Sequence, residues 1–216
     1  MSAELTARFE LTRGNHQYRV GFVCKPGIGV LMGPSGCGKT TVFDCIAGLN
    51  NPTKGTIKFG SSVFFDSETR TLMPPQKRRI GYVLQRPSLF PHMTVRENIL
   101  YAMQNMRNSE MNSRLTELAE SFGIGQLLNQ RPHQVSGGQA QRVALVRAIA
   151  AKPELFLLDE PFSNLDDKGR AEMIEAIKEL RRVAMKPILY ITHSGTEASE
   201  LADYRITVSD SEFRIE

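Results

Sequence analysis

Apolar and polar residues alternate twice at the start of this chain. Leu5, Ala7, Phe9 and Leu11 recur at every second position, as do Tyr18, Val20, Phe22 and Cys24. That period predicts two half-buried strands, and Gly14-Asn15 between them is a turn signal, so a β-hairpin-like lobe comes first. A continuous apolar run follows, Ile28 to Met32. The spacing then changes to that of a helix at Val42, Phe43, Ile46 and Ala47, with Gly48 and Asn50-Asn51-Pro52 as its stop. Gly55 to Phe59 and Ser62 to Phe65 predict two short strands. Ile80, Tyr82 and Leu84 alternate in a third that ends at Gln85.

From Arg86 to about Ala151 the signals are mostly helical. Met111, Leu115, Leu118 and Phe122 form one stripe stopped by Gly123, and Asn98, Asn105, Asn108 and Asn112 are expected to break the region into several short helices. Leu155-Phe156-Leu157-Leu158 is apolar throughout, as in a strand buried on both faces. Met173, Ile174, Ile177, Leu180 and Val183 make a second helical stripe, and Pro187 to Thr192 is another buried strand. The predicted fold class is α/β: a mainly parallel sheet core, an antiparallel β lobe in front, and a helical insert at about 86–151, all within one domain, 1–216.

Composition changes this picture little. Of the 216 residues, 41% are hydrophobic and 23% charged, which are globular values. No apolar run approaches the ~20 residues of a membrane-spanning helix. Met1-Ser2-Ala3-Glu4 lacks the basic and apolar regions of a signal peptide. Cys24, Cys37 and Cys45 have neither metal nor disulfide-framework spacing, which suits a reducing cytosol. The net charge of +4 reads as a solvated surface with a small cationic excess.

Chemistry enters at Gly33-Pro34-Ser35-Gly36-Cys37-Gly38-Lys39-Thr40, followed by Thr41, between the predicted strand and the predicted helix. Strand, glycine-rich loop and helix in that order are the context of a phosphate-binding P-loop. Gly33, Gly36 and Gly38 permit backbone angles that turn successive amides inward around a phosphate, and the helix start adds unpaired N–H groups. In such a loop Lys39 reaches the β- and γ-phosphates and the Thr40 hydroxyl sits on Mg²⁺, so a nucleoside triphosphate is the predicted ligand.

Two further constellations agree. Asp159-Glu160 ends a buried strand, the edge of an open parallel sheet where ligands sit. There Asp159 is placed to hold Mg²⁺ and Glu160 to polarise an attacking water. Ser136-Gly137-Gly138-Gln139 opens another helix with a natural N-cap and two glycines, a second anion site. Two phosphate sites on different lobes predict a head-to-tail pair of chains that sandwiches each nucleotide.

The run Ser136 to Gln139, followed by Gln141-Arg142-Val143-Ala144-Leu145, resembles the signature of ABC transporter nucleotide-binding subunits. The P-loop, Gln85, Asp159-Glu160-Pro161, Ser163-Asn164-Leu165-Asp166 and Thr192-His193 fall in that family's order, and the resemblance covers essentially the whole chain. It implies a P-loop NTPase cassette with a helical signature subdomain, working with ATP and Mg²⁺ as a head-to-tail homodimer. Gln85 would ligate Mg²⁺ and sense the γ-phosphate. Ser136 and Gly138, with Gln139 beside them, would hold the partner's nucleotide, and Asp166 would lie at the dimer seam. His193 would contact the γ-phosphate and help position water and Glu160.

Leu89-Phe90-Pro91-His92-Met93-Thr94-Val95-Arg96-Glu97-Asn98-Ile99 is similar to importer subunits serving molybdate, sulfate, iron, polyamines or thiamine, where a groove receives a helix of the membrane subunit. Pro74 to Tyr82 looks most like molybdate-type subunits. The implied partners are permease subunits and a solute-binding protein, with no nucleic acid, on the cytoplasmic face of the membrane. Some features depart from the pattern. Arg13 stands beside the turn where an aromatic ring usually stacks on adenine, with Phe9 and Tyr18 as alternatives. Val135 replaces a leucine, and Ser194 stands where Asp is common. The chain ends at Glu216, so the regulatory β domain of many importers, and feedback through it, is expected to be absent. Two other classes compete. DNA- or ribosome-associated ABC ATPases carry long coiled coils or two cassettes, and neither fits here. A P-loop kinase gives no reason for Ser136 to Gln139 or for Glu160 after Asp159.

Overall fold

The computed structural model describes residues 4–13, 16–103, 106–163, 165–209 and 212–215. The two alternating runs become β1 (Leu5–Arg13) and β2 (His16–Cys24), antiparallel with Leu5 opposite Cys24. Their eight apolar positions are all buried, so the period of two marks a single core face. The predicted turn at Gly14-Asn15 lies outside the described residues. β3 (Ile28–Met32) leads through the glycine loop into α1 (Lys39–Ala47). Gly48 ends that helix at φ 84°, a left-handed cap that glycine adopts without strain.

β4 (Lys54–Phe59), β5 (Ser62–Asp66), β6 (Thr71–Leu72) and β7 (Ile80–Val83) follow. β7 stops at Val83 rather than Gln85. Gly81 and Val83 on its second face are buried too, whereas Leu84 is exposed, so the apparent alternation overran the strand by two residues. Then come α2 (Val95–Tyr101), α3 (Asn108–Ser121), α4 (Gly137–Ala150), β8 (Leu155–Asp159), α5 (Asp167–Ala184), β9 (Ile188–Ile191), α6 (Gly195–Leu201), β10 (Tyr204–Ser209) and β11 (Glu212–Ile215).

The chain divides into two compact units. The first comprises Met1–Tyr82, Glu154–Asp159 and Lys186–Glu216, and holds nearly all of an eleven-stranded sheet ordered β6-β5-β4-β1-β2-β11-β10-β3-β9-β8-β7. β10, β3, β9 and β8 run parallel, and β6 to β2 are antiparallel. The predicted lobe and core are therefore one sheet. The hairpin β10–β11, which hydrophobic periodicity did not announce, bridges them: β10 pairs with β3 and β11 with β2. Val42, Phe43, Cys45 and Ile46 of α1 share a core with both halves of the sheet.

The second unit, Val83–Pro153 with Glu160–Met185, is helical, and α2, α3 and α5 all contact α4. It takes in the predicted insert and adds the α5 segment. Leu115, Leu118 and Phe122 are buried as their spacing predicts, and so are Met173, Ile174, Ile177 and Leu180 on α5. The asparagines do not break the helices: Asn98 lies inside α2 and Asn112 inside α3, and Asn108 opens α3. Asn112 faces solvent. Asn98 is fully buried, with its amide donating to the carbonyls of Phe90, Met93 and Thr94 and its Oδ1 accepting the Phe90 N–H, so it organises the loop before α2. Asn105 lies outside the described residues. Among the described residues no helix is long and apolar enough to cross a membrane.

Candidate functional site

In the first unit the glycine loop is held by its own lysine. Lys39 is 6% exposed, and its Nζ donates to the carbonyls of Gly33 at 2.9 Å and Pro34 at 2.8 Å, with Cys37 Sγ at 3.7 Å. A buried ammonium needs such acceptors. Pro34, Ser35 and Gly36 form the exposed rim. Gly36 and Gly38 have positive φ, but Gly33 does not; its contribution is the carbonyl that receives Lys39. At Gly38 (φ 94°) a Cβ would come within 2.7 Å of the Tyr18 ring, so only glycine lets that aromatic lie under the loop.

Tyr18 and Phe9 are both buried in the core, so neither ring is open to a base, and the proposed alternatives to Arg13 fall away. The side chain of Arg13 itself lies outside the described residues. Thr40 Oγ1 donates to Asp159 Oδ1 at 3.2 Å, which joins the helix start to the end of β8. Thr41, behind it, is buried. Tyr82 donates to Asp44 on α1, and burial holds its phenol well above the ordinary range. Burial likewise pushes Cys24 up to about 11 and Cys45 up to about 12, so neither thiol serves as a nucleophile. His193, after β9, is exposed.

The opposite end of α1 carries a residue that the sequence reading did not single out. Arg78 is 2% exposed; it donates to the carbonyls of Cys45 and Ile46 at 2.7 Å, Met73 at 2.9 Å and Phe64 at 3.2 Å, and lies over the Phe64 ring. A cation on the last carbonyls of a helix also opposes the macrodipole. Desolvation depresses its pKa from the usual arginine value. The only sequence signal was the basic run Lys77-Arg78-Arg79, which does not say which of the three turns inward.

In the second unit, Gln85 Nε2 donates to Glu160 Oε2 at 2.9 Å, so these two predicted catalytic residues meet. Glu160 has φ 44°, a strained angle for a non-glycine residue that is common at functional turns. Gln141 is almost fully buried and donates to the carbonyl of Leu84, directly before Gln85, while Arg147 reaches the carbonyl of Ser88 and lies over the Phe90 ring. One helix thus holds the Gln85 segment at two points.

At the start of α4, Ser136 Oγ accepts the Gln139 N–H at 3.3 Å and Gln139 Oε1 accepts the Ser136 N–H at 2.9 Å, a reciprocal cap. Ser136, Gly138, Gln139 and Asp166 line one cavity of about 480 Å³ together with Arg142 and Lys168. Asp166 caps α5 by accepting the Gly169 N–H at 2.7 Å. Arg142 and Glu172 pair at 2.9 Å, joining α4 to α5. A Cβ on Gly137 would meet nothing within 4 Å, and one on Gly138 only ordinary contacts at 3.5 Å or more. Asn164 of the same motif lies outside the described residues.

Thr40 and Asp159 supply hard oxygen donors side by side, which fits Mg²⁺, an ion commonly held by one or two carboxylates together with phosphate and water.

Residues 20–163 match the family described as ABC transporter. The chain belongs to the ABC transporter family. Its curated relatives include the trehalose/maltose import ATP-binding protein MalK of Thermococcus litoralis, 45% identical over 83% of this chain and 48% of that protein. The molybdenum import ATP-binding protein ModC of Paramagnetospirillum magneticum is 41% identical over 88% of this chain and 53% of its own length. The molybdate/tungstate import ATP-binding protein WtpC of Archaeoglobus fulgidus is 39% identical over 92% of this chain and 80% of its own. The chain spans about half the length of the first two. Among solved structures, an ATP-binding cassette captured as a dimer after hydrolysis, with ADP and Pi, matches with TM-score 0.78 and 28% identity over 99% of this chain and 97% of that one. The ABC cassette fold expected from the sequence is therefore the fold observed.

Proposed function

We propose that this ABC family member is the ATP-hydrolysing subunit of an importer and acts as one nucleotide-binding domain. Lys39 leaves its loop carbonyls to hold the β- and γ-phosphates, with the amides from Gly33 to Thr41 around them. Mg²⁺, held by Thr40, Asp159 and Gln85, would neutralise charge on the phosphate oxygens. Glu160, oriented by Gln85, accepts a proton from the attacking water as the bond to the γ-phosphorus forms and ADP departs; His193 orders that water. Arg13 is proposed to stack on adenine.

The observation that carries this reading is the cavity shared by Ser136, Gly138, Gln139 and Asp166. Gly137 and Gly138 have no neighbour in their own chain close enough to require glycine, although glycine is a poorer helix former than alanine by up to ~1 kcal/mol. Glycine there allows an outside ligand to approach the backbone closely. A second copy, head to tail, would bring the nucleotide on its P-loop to this cavity, with Asp166 at the seam.

The remaining partners are proposed from the family resemblance, permease subunits docking on the helical unit near Leu89, Phe90 and Met93 and a solute-binding protein, and the cargo, an oxyanion such as molybdate, from the relatives' names. The subunit would then sit on the cytoplasmic face of the membrane without binding nucleic acid. The test is purification of the tagged chain from gently solubilised native membranes, with its companions identified by mass spectrometry. A multi-span membrane protein in near-equal amount is expected. Recovery with nucleic acid or ribosomal proteins would overturn the proposal.

A further inference from the structure

The turn that carries His193 is closed by hydrogen bonds from both sides. Thr192 is buried, and its hydroxyl donates to Glu197 Oε2 at 2.5 Å. The same Oγ1 accepts the Ser194 N–H at 3.0 Å, Ser194 Oγ accepts the Glu197 N–H at 3.3 Å, and the buried Tyr190 hydroxyl donates to the Glu197 carbonyl at 3.0 Å. Glu197 is 5% exposed. Burying a carboxylate is costly, and the Ser194 cap already satisfies the start of α6. The carboxylate holds Thr192, which fixes the backbone before His193 as Ser194 fixes it after. The imidazole is left exposed on a pinned backbone.

We propose that Glu197 is a positioning residue for ATP hydrolysis that acts by holding His193 in place. This rests on the hydrolytic role proposed above for His193. A misplacement of about 1 Å can cost on the order of a hundredfold in rate. Glu197→Ala is therefore expected to lower kcat by tenfold to a hundredfold, with KM for ATP little changed. Glu197→Gln keeps a carbonyl acceptor for the Thr192 hydroxyl and should recover most of the loss. Thr192→Val, which keeps the shape and removes the hydroxyl, should reproduce it even if Glu197→Ala fails to fold.

The deciding experiment is a double-mutant cycle in the full chain. In a His193→Ala background, Thr192→Val or Glu197→Ala should change kcat by less than about twofold, because residues acting as one unit are not additive. In parallel, the His193 ring resonance, assigned by its disappearance in His193→Ala, should shift in Thr192→Val while that of His133 stays. Full additivity, or an unmoved His193 resonance, would overturn the inference and leave the ATPase reading intact. A His193→Ala chain with undiminished turnover removes the role of His193 and this inference with it. No ATP turnover by the unmodified chain overturns the reading itself.

Discussion

The helices α1 and α4 both begin at a glycine-rich motif, and they begin in opposite ways. The start of α1 is finished within its own chain. Gly38 takes a left-handed angle over Tyr18, Lys39 is bonded to two loop carbonyls, Thr40 is bonded to Asp159, and Arg78 closes the far end. The start of α4 satisfies its backbone with a Ser136–Gln139 cap, yet presents two glycines that no neighbour crowds. The first motif is demanded by the fold around it. The second is not, so its composition answers to something outside the chain. A motif surrounded by its own partners is a site in itself, and one surrounded by open space is half of a site.

Substitutions can break this contrast. The largest effect is expected at Lys39: Lys39→Ala removes a charge-assisted contact and should weaken ATP binding about tenfold to a hundredfold by calorimetry. Unchanged affinity would mean that the loop is not the phosphate site. Next is Arg78→Met, which takes the guanidinium donors away from the carbonyls of Ile46 and Met73, while those of Cys45 and Phe64 keep the backbone N–H groups of Gly48 and Met73. With about 1–3 kcal/mol for each buried unpaired group and about 2–4 °C per kcal/mol in a chain of this size, Tm should fall by about 5 °C or more. A Tm within one degree of the original would show that the clamp is dispensable.

Gly138→Ala sharpens the contrast from the other side. Alanine is the better helix former by up to about 1 kcal/mol, so the single chain should gain up to about 4 °C in Tm and keep its ATP affinity, while turnover by paired chains falls. Loss of stability in the single chain would show that the glycine serves its own fold. The smallest effect concerns the entry to β8. Glu154 accepts from Lys186 and pairs with Arg79, and the Lys186 bond holds its carboxyl below the ordinary range. A depressed folded-state value stabilises the protein above the ordinary carboxylate range, and that gain is lost as pH falls through the depressed value. Glu154→Gln should therefore lower Tm slightly at neutral pH and not at all in acid.

Where a periodic pattern had a single physical cause, the sequence was readable. β1, β2 and α1 follow from apolar spacing that faces one core, α5 from a buried stripe within the second unit, and β8 from an apolar run buried throughout. The pattern misled where polar residues had private partners: Asn98 looked like a helix breaker because its bonds to Phe90, Met93 and Thr94 are invisible in one dimension. The bridging hairpin β10–β11 is short and gains its place only by pairing with β3 and β2, so local spacing does not announce it. At the site, the P-loop, Gln85 and Glu160 were legible as separate motifs, whereas the hydrogen bond between Gln85 and Glu160 was not. Arg78, Gln141 and Glu197 were not, because each acts through contacts made after folding.

If two copies complete each other around ATP, pairing must depend on bound nucleotide. Sedimentation of Glu160→Gln, with and without Mg²⁺ and ATP, tests it directly, since this variant should bind ATP but hydrolyse it about 10²–10⁴ times more slowly. One chain is expected without nucleotide and two with it, the pairing abolished by Ser136→Arg. A chain that binds ATP tightly and still sediments alone at saturating nucleotide would contradict it.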